Sequence, residues 1–103
     1  MKKNQSNKDG KRQGYWVEYY SNGNVMYRGD YINGKRHGIW ENYHTNGKLI
    51  YKGNYNDGKL HGYWEYYYLN GKLSSKWDYI DGKQHGYQED YYGNGNLIKE
   101  FHL

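Results

Sequence analysis

The sequence predicts an all-β fold, an elongated and twisted single-layer antiparallel meander of about eight strands built from four 24-residue β-hairpin repeats. Three observations support this prediction. Several residue types recur with a step of 24 residues, Asn-Gly and Asp-Gly pairs divide each unit, and the segments between these pairs are rich in Tyr, Trp, Ile and Val. Aromatic and β-branched residues favour strands, and the segments show no helical periodicity.

The repeat rests on columns of identical or similar residues. A fixed step over nearly the whole chain indicates a repeat architecture. The glycine columns are Gly10, Gly34, Gly58 and Gly82; Gly14, Gly38, Gly62 and Gly86; and Gly23, Gly47, Gly71 and Gly95. The aromatic columns are Tyr19, Tyr43, Tyr67 and Tyr91, and Trp16, Trp40 and Trp64, with Gln88 in the fourth place of the tryptophan series.

Each unit contains two turn signals, which set the strand register. Asn-Gly and Asp-Gly favour two-residue type I′ turns, because both central residues need positive φ. Such a turn at Asn22-Gly23 sets Trp16 opposite Gly29, so that a ring lies over a cross-strand glycine. In later repeats the same register pairs Trp40 with Gly53, Trp64 with Trp77, Gln88 with Phe101, Glu41 with Lys52, Glu65 with Lys76, and Glu89 with Glu100. The second set of turn signals is Asn33-Gly34, Asp57-Gly58 and Asp81-Gly82.

This register divides the side chains between two faces. One face is predicted to carry Trp16, Tyr20, Val25, Tyr27 and Tyr31, with their copies in later repeats. The other is predicted to carry Tyr15, Tyr19, Met26 and Arg28. Strands about 4.8 Å apart give an array about 40 Å long.

Composition limits the class of protein further. Residues 1–8 are assigned to a flexible N-terminal tail and residues 9–103 to the array, with repeats at about 14–37, 38–61, 62–85 and 86–103. The basic start is followed by no apolar run, so we expect no signal peptide and a cytoplasmic location. The chain has no cysteine, which excludes disulfides and Cys-based zinc sites. The net charge of +4 is spread among both signs and permits weak attraction of anions.

Two long segments resemble a known family. The runs Tyr27–Trp40 and Tyr51–Trp64 are similar to the MORN repeat (membrane occupation and recognition nexus), and the Trp-x-x-Tyr-x-x-Asn-Gly-x-Leu segment that follows resembles its bacterial variant. The resemblance covers about residues 9–103. It implies an elongated, curved, antiparallel single-layer sheet that binds protein partners or acidic phospholipids. Some bacterial members are catalogued as antitoxins, so it also implies an inhibitor-like role toward a toxin or another effector.

The last two repeats depart from the pattern. The third has Ser75-Lys76-Trp77 where the motif has Tyr-x-Gly, and the fourth has Gln88 for Trp and Lys99-Glu100-Phe101 for Tyr-x-Gly. Terminal repeats often differ because they cap an array. Trp77 is internal, so we expect it to alter the curvature or to place a large ring where a partner docks.

The tyrosine column is the first candidate binding surface. A single sheet cannot hide both faces, and exposed aromatic strips mark interaction sites. On the Trp16 face, packing against the next repeat explains the rings without any binding role. The residues predicted to contact a protein partner are Tyr19, Tyr43, Tyr67, Tyr91 and Trp77.

A row of cations is the second candidate surface. It contains Lys11, Arg12, Lys35, Arg36, Lys59 and Lys83, which follow turn glycines and should line one long edge. Such a row suits the phosphates of acidic lipids, although edge lysines also protect sheets from aggregation. Interleaved aromatic and basic residues suit single-stranded nucleic acid, but no nucleic-acid motif is present and we do not expect that activity.

No residue pattern predicts catalysis, a cofactor or a metal site. His37, His61 and His85 recur about 10 Å apart by strand spacing, too far to share an ion whose bonds are about 2.1 Å long. Ser74 and Ser75 have no base and acid at a suggestive spacing. The leading hypothesis is therefore a non-catalytic protein-binding module. A lipid adaptor and a carbohydrate-binding strip are the alternatives, and pairing of end strands around Leu97–Phe101 would give a homodimer.

Overall fold

The computed structural model describes residues 3–102, apart from the side chains of Lys99, Phe101 and His102. Within these residues the chain forms nine strands and no helix. The strands are β1 (Gln5–Ser6), β2 (Arg12–Tyr19), β3 (Val25–Ile32), β4 (Lys35–Tyr43), β5 (Leu49–Asn56), β6 (Lys59–Tyr67), β7 (Leu73–Ile80), β8 (Lys83–Tyr91) and β9 (Leu97–His102). Met1, Lys2 and Leu103, which the sequence assigns to the tail and to the last repeat, lie outside the described residues.

All strands belong to one open sheet in which each strand pairs with the next along the chain, always antiparallel. The molecule measures 48 × 34 × 16 Å, which is the shape of a single layer. The predicted all-β meander is therefore confirmed. A single layer of this kind buries little side-chain surface, and its stability depends on contacts between adjacent strands.

The predicted register is also confirmed. Trp16 lies opposite Gly29, Trp40 opposite Gly53, and Trp64 opposite Trp77. The other predicted pairs that the structure contains are Glu41 with Lys52, Glu65 with Lys76, Gln88 with Phe101, and Glu89 with Glu100. The pair of Glu89 with Glu100 joins two like charges, which is the exception among the charged pairs that the sequence predicted.

The turn prediction is correct for one set of turns and wrong for the other. Asn33-Gly34 has φ values of 49° and 81°, and Asp57-Gly58 and Asp81-Gly82 have similar values, as type I′ turns require. At Asn22-Gly23 only the glycine has positive φ, and its N–H donates to the Tyr20 carbonyl at 3.0 Å. This is a type I turn followed by a left-handed glycine.

Side-chain bonding explains why the second kind of turn differs. The Asn22 side-chain oxygen accepts the N–H of Asn24 at 2.9 Å, which holds the asparagine out of the left-handed region. The copies of Asn22 at 46, 70 and 94 make the same bond. The prediction that Val25 lies opposite Tyr20 and on the face of Trp16 is wrong, because the longer turn pairs Val25 with Tyr19. A register shift between Glu18 and Tyr19 offsets the longer turn, so the pairs further from it keep their predicted partners.

Part of the segment assigned to a tail is paired with the sheet. Gln5 and Ser6 form β1 and pair with Gln13 and Arg12 of β2. A two-residue strand of polar side chains carries no period-2 apolar pattern, which is the signal that sequence analysis uses for strands.

The core is a continuous row of rings on the face that carries Trp16, Trp40 and Trp64, here called the Trp face. Trp16, Tyr31, Trp40, Tyr55, Trp64 and Tyr79 follow one another edge to face, with ring centroids 5.0 to 6.4 Å apart. Edge-to-face pairs of this kind add about 0.5–1.5 kcal/mol each beyond the area that they bury. Tyr31 and Tyr55 lie between successive tryptophans and thereby join one repeat to the next, and Tyr79 ends the row beside Trp64.

Glycine is required beneath two of these rings. A Cβ atom at Gly29 would overlap the indole of Trp40, and one at Gly53 would overlap the indole of Trp64. The ring nearest to each glycine therefore comes from the next tryptophan along the chain and not, as predicted, from Trp16 or Trp40. Each indole also donates its N–H to the backbone of the preceding repeat, from Trp40 to the Asp30 carbonyl and from Trp64 to the Asn54 carbonyl, both at 3.0 Å. Each tryptophan thus leans over the repeat before it.

Where the third repeat meets the fourth, the large residue stands at the glycine position and the smaller residue at the tryptophan position. Trp77 replaces the glycine, and Gln88, its cross-strand neighbour, replaces the tryptophan that would lean over it. Gln88 is only 2% exposed, and its side-chain amide nitrogen has no hydrogen-bond partner within the described residues. One large residue and one smaller residue therefore occupy the same space in the opposite order.

Candidate functional site

The face opposite the Trp face, here called the Tyr face, carries the predicted tyrosine column. Tyr19, Tyr43, Tyr67 and Tyr91 are the last residues of β2, β4, β6 and β8, so they stand in a row beside the Asn-Gly turns. Tyr19 is 47% exposed, and the other three are half-buried. The structure therefore brings these four predicted residues together on one surface.

Carboxylates accompany three of these tyrosines. Glu41, Glu65 and Glu89 lie two residues before Tyr43, Tyr67 and Tyr91, on the same face of the strand. Burial, followed by Glu41, raises the pKa of Tyr43, and burial, followed by Glu65, raises the pKa of Tyr67. A hydrogen bond with Glu89 is the largest cause of the raised pKa of Tyr91. These phenols stay neutral near pH 7, where they can both donate and accept hydrogen bonds.

A ladder of alternating charges runs along the middle of the Tyr face. Arg28 contacts Glu41 at 2.7 Å, and Lys52 contacts Glu65 at 3.8 Å. In the next rung Lys76 lies opposite Glu89 in the strand register. A surface on which cations and anions alternate attracts complementary side chains in a fixed register, and it carries no large region of a single charge.

A second apolar column lies on the Tyr face, and the sequence analysis did not select it. It contains Tyr15, Ile39, Tyr63 and Tyr87, each directly after a repeat glycine. Ile39 is 60% exposed and Tyr63 is 49% exposed. The four-residue separation from the tyrosine column corresponds to about 13 Å along a strand. The signal was present in the sequence as a further 24-residue column, but the variation between Tyr and Ile concealed it.

Trp77 does not belong to this surface. It lies on the Trp face, where its ring packs edge to face with Tyr66 at 5.7 Å between centroids. Its indole N–H donates to the carboxylate of Asp90 at 3.0 Å, and the Ser75 hydroxyl donates to the same oxygen at 2.7 Å. The five residues predicted to contact a partner are thus divided between two faces, with Trp77 alone on the second.

The predicted cation row is present only in part. Lys11 lies beside Gly34, and Lys35 lies beside Gly58, so the lysines follow one long edge from repeat to repeat. Lys35 also pairs with Asp57 at 3.6 Å, in an exposed contact that contributes little to stability. Lys59 and Lys83 occupy the first positions of β6 and β8 at the same edge.

Arg12 and Arg36 leave this row and cover the Trp face. Each guanidinium carbon lies 4.5 Å from the centre of the tryptophan ring four residues further along the chain, Trp16 for Arg12 and Trp40 for Arg36. Each also donates to a tyrosine hydroxyl, Arg12 to Tyr31 at 3.1 Å and Arg36 to Tyr55 at 3.2 Å. The expectation that the arginines extend the lysine edge is wrong, because stacking on indole faces holds their charge on the core side of the sheet.

The described residues provide no site of other kinds. Among the described side chains, which do not include that of His102, no three His, Asp or Glu groups are arranged to hold a metal ion, and no pocket is found. No helix of the described chain is long and apolar enough to cross a membrane.

Four stretches of the chain, at residues 12–33, 36–57, 60–81 and 84–103, match the family model described as the MORN repeat variant. The chain belongs to the MORN repeat family. A search of the curated proteins finds no match. MORN repeats are generally protein-binding or membrane-binding modules, and the family is non-enzymatic. Within this MORN array the matched stretches begin two residues before the repeat glycines, whereas the predicted repeats begin on them.

Proposed function

We propose that this MORN protein is a non-catalytic protein-binding module that engages its partner with the Tyr face. The observation that carries the proposal is the contrast between the two faces. On the Trp face, the rings of the first three repeats stack on one another, and two of the tryptophans are also covered by arginines. On the Tyr face, Tyr19, Ile39 and Tyr63 remain exposed beside a ladder of charges.

The dimensions and chemistry of the Tyr face suit a protein partner. A surface of 48 by 34 Å exceeds the roughly 800 Å² per partner of a standard interface. Two apolar columns on either side of a charged ladder supply ring anchors together with polar groups that fix the register. A sheet bound over this area would cover the working surface of a toxin or another effector, which is the inhibitor-like role that we propose.

Capture experiments with matched variants test the proposal. Immobilised wild-type protein is compared with Tyr43→Ala/Tyr67→Ala and with Lys35→Ala/Lys59→Ala, and captured proteins are quantified by mass spectrometry. The tyrosine variant should lose the wild-type partner, whereas the lysine variant should retain it. With purified partner, calorimetry should show the tyrosine variant binding at least about tenfold more weakly, since anchor residues each contribute more than about 1 kcal/mol. Equal affinity for the tyrosine variant and wild type would contradict the proposal.

Binding to acidic phospholipid is a second candidate function, favoured by the lysines along one edge. Lys11, Lys35, Lys59 and Lys83 recur once per repeat there. Sedimentation with phosphatidylserine vesicles should then pull down wild type at low salt, fail at high salt, and fail for Lys35→Ala/Lys59→Ala. Binding that persists in this variant would exclude the lysine edge as the lipid site.

A further inference from the structure

The outer edge of β2 is covered by the segment of residues 3–7. Gln5 and Ser6 pair with β2, the Asn7 N–H donates to the Lys11 carbonyl at 2.8 Å, and the Asn4 N–H donates to the Tyr15 carbonyl at 2.9 Å. An unpaired strand edge is a template for another strand, and covering segments are one way in which proteins protect it. This segment covers the edge from residue 11 to residue 17.

The side chain of Asn4 acts there as a substitute for a backbone peptide. Its amide nitrogen donates to the Val17 carbonyl, and its amide oxygen accepts the Val17 N–H, both at 2.7 Å. Asn4 itself has φ of 57°, a left-handed conformation that asparagine tolerates better than most residues. Val17 is only 2% exposed. One side chain thus satisfies both backbone groups of Val17, as a neighbouring strand would.

The same edge is paired with a real strand at every later repeat. β4, β6 and β8 are the 24-residue copies of β2, and they pair along this edge with β3, β5 and β7. β9 is the next copy of β3, β5 and β7, and no strand pairs with its outer edge within residues 3–102. Strand β9 of a second copy therefore occupies the repeat position that pairs with this edge, although Phe101 stands where β3 and β5 have Gly29 and Gly53.

The two ends of the array differ from the internal junctions in charge. Arg28 lies opposite Glu41 at the β3–β4 junction, Lys52 opposite Glu65 at β5–β6, and Lys76 opposite Glu89 at β7–β8. Glu100 of β9 occupies the position of Arg28 three repeats later, and Val17 of β2 occupies the position of Glu41 one repeat earlier. Pairing β9 of one copy with β2 of the next would therefore set Glu100 opposite Val17. The ion pair is thus absent from both sides of the junction that would join two molecules.

We propose that the outer edge of β2 is a binding site for strand β9 of a second copy of this chain, and that residues 3–7 are a cap that occupies this site. Head-to-tail pairing of this kind joins two different surfaces, so it continues into a closed ring or an open filament unless something stops it. The cap and the missing ion pair both oppose this continuation. The proposal goes beyond the binding role of the Tyr face and does not depend on it.

Opening the cap tests the proposal by a change of association state. Asn4→Pro removes both side-chain bonds to Val17 and the N–H bond to Tyr15, and proline cannot adopt positive φ. Gln5→Ala is the matched control, since it alters an exposed side chain of the same segment and leaves the backbone pairing intact. In sedimentation velocity, wild type and Gln5→Ala should remain at 12.4 kDa. Asn4→Pro should shift to species of two or more copies that increase with concentration.

Cysteine cross-linking identifies the strands that meet. The chain has no cysteine, so Asn4→Pro/Val17→Cys and Asn4→Pro/Glu100→Cys each carry a single thiol. Opposed residues of antiparallel strands lie within the Cα separation that a disulfide requires. Mixing the two variants under mild oxidation should give a covalent dimer of one copy of each. The same substitutions with Asn4 intact should give little of it.

Three results would overturn the proposal. Asn4→Pro could remain a monomer with an unchanged sheet signal in circular dichroism. The Glu100→Cys variant could form a disulfide with itself in preference to the mixed pair, which would indicate end-to-end pairing of β9 with β9. Asn4→Pro could also lose the sheet signal, in which case residues 3–7 are needed for folding and are not a removable cap.

Discussion

Tyrosine supplies much of the apolar surface of this molecule, and the phenol suits a single layer. The ring packs against a neighbour while the hydroxyl finds a polar partner at the edge of the layer. Tyr20 and Tyr68 show the second part, since their hydroxyls donate to the carbonyls of Tyr43 and Tyr91 in the next repeat. A leucine or phenylalanine at these positions would fill the space without joining the repeats.

Tyr66 makes the contribution of such a phenol measurable through pH. Burial, followed by the Tyr79 hydroxyl 3.4 Å away, raises the pKa of Tyr66 above its ordinary value. A tyrosine whose pKa is raised by folding contributes stability that is fully present below the unfolded value of about 10, and this contribution is lost as the pH rises through the folded value. The free energy of unfolding should therefore fall above about pH 10.

Tyr66→Phe should make this alkaline loss of stability shallower, because the residue no longer ionises in either state. Urea unfolding followed by tryptophan fluorescence, at several values between about pH 9 and about pH 11, measures the slope. Wild type and variant with the same slope would show that Tyr66 is not among the groups whose ionisation opposes folding.

Prediction from the sequence had a clear limit at the residue scale. The column of Trp16 and its copies was enough to place the rings on one face, because side chains alternate strictly along a strand. The direction of Arg12 and Arg36 was not predictable, because their backbone positions at the lysine edge allow the side chain to extend into water or to fold back onto an indole. Short-range stacking decides between these conformations, and it leaves no periodic signal.

At the scale of the strand pair, two conformational rules produce two kinds of turn. Asn33-Gly34 takes positive φ at both residues, whereas Asn22 keeps negative φ and uses its side chain to hold Asn24. The dipeptide is the same in both places. The residues around the dipeptide and the compensating register shift, rather than Asn-Gly itself, determine the turn. The sequence therefore predicted the register correctly beyond the shift, but predicted one turn type and the pairing next to that turn wrongly.

Trp77 and Gln88 form a pair whose members should depend on each other. In the preceding junctions a tryptophan leans over a glycine, and here the ring comes from the position of the glycine. Gln88→Trp alone should destabilise the protein by about 1–3 kcal/mol, because two indoles would compete for one space. Trp77→Gly alone should also destabilise it by leaving a gap.

The double variant Trp77→Gly/Gln88→Trp restores the arrangement of the preceding junctions and removes the buried amide nitrogen of Gln88, which has no hydrogen-bond partner among the described residues. The free energy of unfolding of the double variant should exceed the value obtained by adding the two single-variant changes by about 1–3 kcal/mol, because residues in contact are coupled. Denaturant titration of the four proteins gives this coupling. Additive effects would show that the two positions do not share one space.

At the scale of the whole molecule, stability is approximately the sum of the repeats and the junctions between neighbours. The junctions differ in this chain. The hydroxyl-to-carbonyl bond joins the first repeat to the second and the third to the fourth, but His44 stands where Tyr20 and Tyr68 stand in the other repeats. The central junction therefore depends more on Trp64, which stacks over Gly53 and bonds to the Asn54 carbonyl.

The overall architecture was predictable because every repeat carries the same turn and ring signals, so errors in one unit are corrected by its copies. The pairing of Gln5–Ser6 with β2 was not, since the segment has no copy elsewhere in the chain and no apolar pattern. The face on which most side chains lie was predictable from alternation along the strands, but the solvent exposure of each side chain was not. Exposure of Ile39 and Tyr63 depends on what crosses the sheet above them, which a local pattern does not contain.

The central claim is that stacking of each tryptophan over the preceding repeat holds the array together and leaves the Tyr face for a partner. Comparing the free energy of unfolding of Gly53→Ala with that of Gly93→Ala tests this claim most directly. A Cβ at Gly53 would overlap the indole of Trp64, whereas a Cβ at Gly93 meets open space, and neither glycine has positive φ. Gly53→Ala should lose about 1–3 kcal/mol, and Gly93→Ala should stay within about 0.5 kcal/mol of wild type. Equal stability of the two variants would contradict the claim.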